Sequence, residues 1–279
     1  MMFEEQSIAA LKAHYPGVST SLCHRLCDHP LFAIDRLVAL ASALPTECVE
    51  YNSGDIPVSQ DPASTPMNGL SATETVRRIA ENKSWLVMKT VERDVEYAGL
   101  LDALLDEIAP VTHAKTGPMY KREGFIFISS PGSVTPFHMD PEHNILMQIS
   151  GTKTFNIYPA DAEDIVSAEQ HEVFHQQGGH RNLPHREEFD VAAQQIAMAP
   201  GDALYVPVKS PHWVKVGDAV SVSLSITWRS RASDDEARLR RANGWLRGRG
   251  LSPPSPGRSP LRDHGVRLAQ RIAERFDKA

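Results

Sequence analysis

The sequence predicts a mainly β protein, a jelly-roll barrel flanked by N-terminal and C-terminal α-helices, and three observations carry that prediction. From Gly124 the rhythm becomes strand-like, with short apolar runs at 125–129, 144–149, 152–158, 195–199, 203–206, 212–216 and 219–228, punctuated by Gly and Pro. Helical stripes do not alternate with these runs, so they close on one another as a sandwich or jelly roll and not as a parallel α/β sheet. Before 124 and after 230, apolar residues recur at helical spacing. On this reading 1–123 is a helical flank packed on the barrel, 124–230 is the barrel with a polar insert at 163–190, and 231–279 forms basic C-terminal helices.

In the flank, residues 1–45 read as mostly helical, with Leu31, Ile34, Leu37, Val38, Ala41 and Leu44 on one face until Pro45 stops the pattern. Cys23 and Cys27 lie four apart near His24 and His29. No second pair of matching spacing exists, so a half-buried helix face explains them better than zinc. Residues 50–68, rich in Pro, Ser, Asp and Asn, read as a loop. Ser71-Ala72-Thr73-Glu74 is a capping-box pattern that opens a helix toward Asn82. Leu100, Leu101, Leu104, Leu105 and Ile108 form one stripe and place a helix over 97–108.

Within the barrel the last strand is the cleanest. Val220, Val222, Leu224, Ile226 and Trp228 alternate with Ser221, Ser223, Ser225 and Thr227, so one face is apolar and the other carries small hydroxyls. That polar face serves equally well as a solvent surface or as the wall of a cavity. The insert contains His171, His175, His180 and His185 with Gly178-Gly179. His171 and His175 have helical metal spacing, but their hydrophilic surroundings identify a surface loop beside the pocket mouth. After Trp228, Ser233-Asp234-Asp235-Glu236 caps a helix carrying Leu239, Trp245 and Leu246, and a final helix carries Val266, Leu268, Ile272 and Phe276.

The chain has 279 residues, 41% hydrophobic and 23% charged, enough for one large domain or two small ones. No apolar run is long enough to cross a bilayer, and the N-terminus lacks the basic and apolar regions of a secretory signal. Three cysteines, Cys23, Cys27 and Cys48, are too few for a disulfide scaffold, so a cytoplasmic setting is expected. A net charge of −6 argues against general polyanion binding, although arginines crowd the tail from Arg238 to Arg275. Docking of that tail on its own barrel, or on a second subunit as a homodimer, is expected ahead of a nucleic-acid contact.

The chemistry concentrates in 131–140, 151–159 and 200–216. In a strand His138 and Asp140 point to the same side, and His212 can complete a set of two histidines and one carboxylate. Such a set occupies one face of Fe(II) and leaves the opposite positions for a bidentate cosubstrate and dioxygen. Lys153 shares a face with Phe155 and Ile157. If that face is inward, an ammonium sits in an apolar barrel and needs an anion, which a carboxylate-bearing cosubstrate would provide with help from the hydroxyl of Thr135. If it is outward, Lys153 meets water and Thr152, Thr154 and Asn156 face in.

The order Thr135-Pro136-Phe137-His138-Met139-Asp140, then Asn144, then Gly151-Thr152-Lys153, then Leu204-Tyr205-Val206-Pro207 ahead of His212, resembles the JmjC/cupin-like Fe(II)- and 2-oxoglutarate-dependent oxygenases. The nearest likeness is to the group containing the asparaginyl hydroxylase that inhibits hypoxia-inducible factor, and it covers about 124–228. The resemblance implies a double-stranded β-helix with His138, Asp140 and His212 as iron ligands. It implies Lys153 and Thr135 on the distal carboxylate of 2-oxoglutarate, and Asn144 as a polar residue near the iron. Thr227 or Ser225 stands where the family has a late-strand asparagine, and no counterpart of its upstream tyrosine is found. The implied activity is hydroxylation of a protein side chain or a small molecule, coupled to decarboxylation of 2-oxoglutarate to succinate. Two other readings compete: a metal-dependent cupin enzyme that needs no 2-oxoglutarate, marked by Lys153 facing solvent, and a non-catalytic binding or regulatory protein that kept the barrel.

Overall fold

The computed structural model of the chain describes residues 1–61, 64–177, 181–266 and 268. Its first part runs α1 (Glu5–His14), β1 (Thr20–Cys23), α2 (Ile34–Ala43), β2 (Val49–Ser53), α3 (Ala72–Arg77), β3 (Ser84–Lys89) and α4 (Val95–Thr116). There follow β4 (Tyr120–Ser129), β5 (Val134–His138), β6 (His143–Ser150) and β7 (Lys153–Ile157), then α5 (Ala168–Gln177). The chain continues through β8 (Gln194–Met198), β9 (Asp202–Val206), β10 (His212–Val216), β11 (Ser221–Arg229) and α6 (Arg231–Arg247). A seven-stranded sheet, in the order β1-β9-β6-β11-β4-β3-β2, and a four-stranded sheet, β5-β10-β7-β8, pair antiparallel throughout. This is the mainly β, jelly-roll architecture the strand pattern predicts.

Side-chain alternation divides the large sheet between two cores. Val222, Leu224, Ile226 and Trp228 of β11 pack with Ile126, Ile128, Ile145 and Met147 against Leu37, Leu104 and Leu105 of the helices. The opposite face turns Phe127, Leu146, Leu204 and Val206 toward Phe155, Ile157, Met198 and Val214 of the small sheet, which forms the barrel interior. A third cluster, Phe137, Met139, Tyr158, Ile165, Val166 and Phe189, seals the outer face of the small sheet under the insert.

The flank at 1–123 is not purely helical. β1 pairs with β9, β3 pairs with β4, and β2 extends the edge, so the flank contributes strands to the large sheet. Residues 50–53, expected in a loop, belong to one of them, β2. Short apolar runs such as Trp85–Met88 are compatible with strand or helix, and only pairing with β4 decides between them. The capping box at Ser71 is formed: its Oγ accepts from the Glu74 N–H while its own N–H donates to the Glu74 carboxylate. α4 carries the predicted leucine stripe and runs past Pro110 to Thr116.

The insert is not a loop alone, because α5 lies within it and buries His171 and Glu172 against α6. Its charges are satisfied by that neighbour: Arg247 meets Glu172 at 2.8 Å and Glu169 at 2.9 Å. α6 is capped by Ser230, one turn earlier than Ser233, and the two serines form a reciprocal box. Arg238, Arg240 and Arg262 likewise pair with Asp235, Glu236 and Asp263, so much of the described basic tail is spent on ion pairs within the chain. Gly178, Gly179 and His180 of the insert, and Ile272, Phe276, Arg271 and Arg275 of the last helix, lie outside the described residues. No described helix is long and apolar enough to cross a membrane.

Candidate metal centre

Two antiparallel strands bring the three predicted ligands together. β5 ends at His138, β10 begins at His212, and the register sets these two residues opposite each other with ring centroids 4.1 Å apart. Asp140 follows β5, and its Oδ2 lies 3.9 Å from Nε2 of His138 and 3.7 Å from Nε2 of His212. Among the described residues this is the one group of His, Cys, Asp or Glu, three or more strong, whose ligand atoms all lie within 4.8 Å of one another. Cys23, Cys27 and the described insert histidines form no such group.

The hydrogen bonds around the imidazoles orient them for a metal. Nδ1 of His138 donates to the carbonyl of Pro136 at 2.7 Å, and Nδ1 of His212 donates to the carbonyl of Ser210 at 2.9 Å. A carbonyl can only accept, so the proton resides on Nδ1 and each Nε2 presents its lone pair toward Asp140. Burial, reinforced by His138, pushes the His212 imidazole down to about 3, so the ring is neutral at ordinary pH, the form in which an imidazole can bind a metal. Burial alone would favour the acid form of Asp140, but Arg181 and the two imidazoles outweigh it and hold the carboxylate well below its usual range. Two neutral nitrogens and one carboxylate oxygen on one side of a shared point suit a divalent first-row metal with open positions opposite.

The inner face of the barrel resolves both alternatives left open by the sequence. Ser221, Ser223, Ser225 and Thr227 are buried, so the polar face of β11 is a wall of the interior. Lys153 is also inward, 7% exposed, with Nζ donating to Oγ of Ser223 at 2.6 Å. Ser223 passes its own proton to Oε1 of Gln148 at 2.9 Å, a residue the strand pattern did not single out. Among the described residues no carboxylate forms an ion pair with Lys153, and burial lowers its ammonium to about 7. Along β7, Ile157 pairs with His212, Phe155 stacks on the His212 ring at 4.9 Å, and Lys153 lies at the far end. Four residue steps along the strand separate the Cα atoms of Lys153 and Ile157 by ~13 Å.

The other predicted residues divide. Asn144 is buried and its Oδ1 accepts from Oγ of Ser225 at 2.5 Å. Thr227 instead donates to the carbonyl of Glu123 at 3.2 Å, which removes its proton from the pocket. Thr135 is half-buried on β5 opposite Val214. Two residues given no role by the sequence reading also touch the site: Arg181, whose Nη1 is 2.5 Å from Oδ1 of Asp140, and Lys209, whose N–H donates to the Asp140 carbonyl at 2.8 Å. Arg181 lies in an aperiodic polar stretch, and Lys209 acts through its backbone, so no pattern marked either one.

A double-sheet barrel holding two histidines and a carboxylate on adjacent strands defines a cupin-type protein, and the chain belongs to the cupin-like domain family, whose model matches residues 36–234. Jumonji C domain-containing protein 5 of Drosophila melanogaster is 32% identical over 111 residues, 37% of this chain and 26% of that protein. Lysine-specific demethylase 8 of Xenopus tropicalis is 30% identical over 110 residues, 35% of this chain and 23% of that protein. The chain thus spans about a quarter of the length of the curated relatives it matches. Among solved structures, ycfD of Escherichia coli superposes with a TM-score of 0.56 at 15% identity, covering 98% of this chain and 69% of that one. A second structure, of YcfD as a ribosomal oxygenase in complex with cobalt and 2-oxoglutarate, gives 0.53 at 14% identity, covering 98% and 67%. That likeness shows the fold.

Proposed function

We propose that the protein is an Fe(II)- and 2-oxoglutarate-dependent oxygenase that hydroxylates a protein side chain. The observation that carries this reading is a buried ammonium without a carboxylate partner among the described residues, held one strand-length from a triad of two histidines and an aspartate. An unpaired buried cation is costly, so a fold that retains one is built to receive an anion. A cupin enzyme with no acidic cosubstrate has no use for Lys153 turned inward.

In this reading His138, Asp140 and His212 hold the iron through Nε2, Oδ2 and Nε2. Lys153 and Ser223 receive the distal carboxylate, with the Thr135 hydroxyl as a second donor, while Asn144 with Ser225 offers polar contacts nearer the metal. Phe155, Leu146 and Val214 line the interior and exclude water from it. Iron and 2-oxoglutarate, when bound, would supply the chemistry that uses dioxygen as oxidant: 2-oxoglutarate loses carbon dioxide and takes one oxygen atom to become succinate, and the other oxygen atom enters a C–H bond as hydroxyl. A protein substrate is supported by the names of the relatives, a lysine-specific demethylase and a ribosomal oxygenase.

The test is anaerobic Fe(II) titration followed, once dioxygen is admitted, by measurement of succinate release from 2-oxoglutarate, comparing wild type with Asp140→Ala and Lys153→Ala. Asp140→Ala is expected to lose both metal and turnover, and Lys153→Ala to require much more 2-oxoglutarate. Equal turnover in all three proteins would refute the assignment.

A further inference from the structure

The polar insert reaches the candidate metal centre at residues 181–183. Residues 181–183 add themselves to the free edge of β5: the Met139 N–H donates to the Arg181 carbonyl at 3.3 Å, the Leu183 N–H donates to the Phe137 carbonyl at 2.8 Å, and Asn182 bridges His138. That pairing aims the Arg181 guanidinium at the ligand carboxylate. Nη1 lies 2.5 Å from Oδ1 of Asp140, and Nη2 lies 3.4 Å from Oε1 of buried Glu142, itself held by Arg229 at 3.0 Å. The two oxygens of Asp140 are therefore divided: Oδ1 faces the insert and Oδ2 faces the two imidazoles.

We propose that Arg181 is a positioning residue for the metal centre, holding Oδ1 so that Asp140 offers Oδ2 alone and so keeps the coordination positions opposite the triad open. The inference rests on the metal reading above and goes beyond it by giving the insert a role in the geometry of that metal. A free carboxylate can rotate or ligate through both oxygens, and a second ligating oxygen would occupy a place a cosubstrate needs. A planar two-pronged donor braced on Glu142 prevents that rotation, as outer hydrogen bonds do for metal ligands generally.

Two effects of Arg181 oppose each other, and their difference in sign makes the test decisive. As a bare positive charge beside a dication, Arg181 weakens metal binding, so its removal would tighten the site. As a brace for the carboxylate it strengthens binding, and its removal loosens the site by about ten-fold or more. The experiment is Mn(II) titration by electron paramagnetic resonance, without 2-oxoglutarate, on wild type, Arg181→Gln, Arg181→Lys and the ligand-deleted control His138→Ala, with Co(II) visible spectra of each. Thermal melts accompany it; Arg181 is 44% exposed at its side chain and Glu142 keeps Arg229, so Arg181→Gln is expected to melt with wild type. The expected result is about ten-fold weaker Mn(II) binding in Arg181→Gln, a changed Co(II) spectrum reporting altered coordination, and partial recovery in Arg181→Lys. Unchanged or tighter binding in Arg181→Gln with a wild-type Co(II) spectrum overturns the inference and leaves the metal centre standing. Absence of Mn(II) binding by wild type overturns the metal centre and the inference with it.

Discussion

The backbone N–H of Lys209 donates to the carbonyl of Asp140 at 2.8 Å, and the carbonyl of the next residue, Ser210, accepts from Nδ1 of His212 at 2.9 Å. One turn thereby locks together two arms of the candidate metal centre that lie far apart in sequence. Lys209 adopts a left-handed backbone, φ 61°, and its ammonium is held by Asp161 at 2.7 Å and by Glu236 of α6 at 2.8 Å.

Glycine adopts that conformation without the Cβ clash that costs other residues roughly 1–2 kcal/mol. Lys209→Gly and Lys209→Ala both delete the ion pairs, so their difference isolates the backbone. The glycine variant is expected to be the more stable by about 1 kcal/mol in urea denaturation. Equal stability would mean the turn carries no such strain.

Removing the buried charge should separate stability from function. Lys153→Met keeps the volume of the side chain and deletes an unpaired cation, so the unliganded protein is expected to gain about 1–3 kcal/mol while losing affinity for 2-oxoglutarate. Thermal melts and calorimetric titration on the same samples read both effects; a variant that is less stable would show that the ammonium is better satisfied than its surroundings indicate.

The same lysine predicts the pH dependence of cosubstrate binding. Burial brings its ammonium from 10.5 down to about 7, and pairing with a carboxylate restores the charged form. Above pH 7 binding must therefore take up a proton, and affinity for 2-oxoglutarate should fall as pH rises, by up to about ten-fold per pH unit. In the unliganded protein the sign is opposite: between 7 and 10.5 the unfolded chain binds more protons, so this group makes stability rise with pH over that window. Calorimetry across the range should show the slope in wild type and a flat profile in Lys153→Met.

Acid should act through His143. Its ring stacks on Trp228 at 5.2 Å, and its nitrogens contact Tyr205 at 3.0 Å and Ser230 at 2.9 Å. Burial, with Arg229 nearby, lowers the imidazole to about 3, so it stays neutral in the fold and protonates on unfolding. The stability it contributes is present above 6.5 and is lost as pH falls from 6.5 toward 3. His143→Phe should cost about 1–3 kcal/mol at neutral pH through loss of the ring's contacts with Tyr205, Ser230 and Tyr15, and should flatten the acid limb. Denaturant titrations at neutral and acid pH provide the comparison, and an equally steep acid limb in the variant would rule out this histidine as the cause.

Much of the barrel was legible because its strands alternate. β11 announces its two faces through Val222, Leu224, Ile226 and Trp228 against Ser221, Ser223, Ser225 and Thr227, but alternation says only that the faces differ. That the hydroxyl face is buried follows from the small sheet covering it. β1, β2 and β3 were missed because short runs carry no period long enough to separate strand from helix. α5 was missed because its acidic residues Glu169 and Glu172 are satisfied by Arg247, a partner distant in sequence.

From residue order alone came the barrel, the grouping of two histidines with an aspartate as candidate ligands, and the choice of Lys153 as a candidate cosubstrate anchor, since these depend on side-chain type and local spacing. Packing alone decided that Lys153 points inward, that Asp140 divides its oxygens between Arg181 and the imidazoles, and that Lys209 clamps Asp140 near His212. Those are relations between segments far apart in the chain, set by strand register and by the cost of leaving buried polar groups unpaired, and neither leaves a local signature.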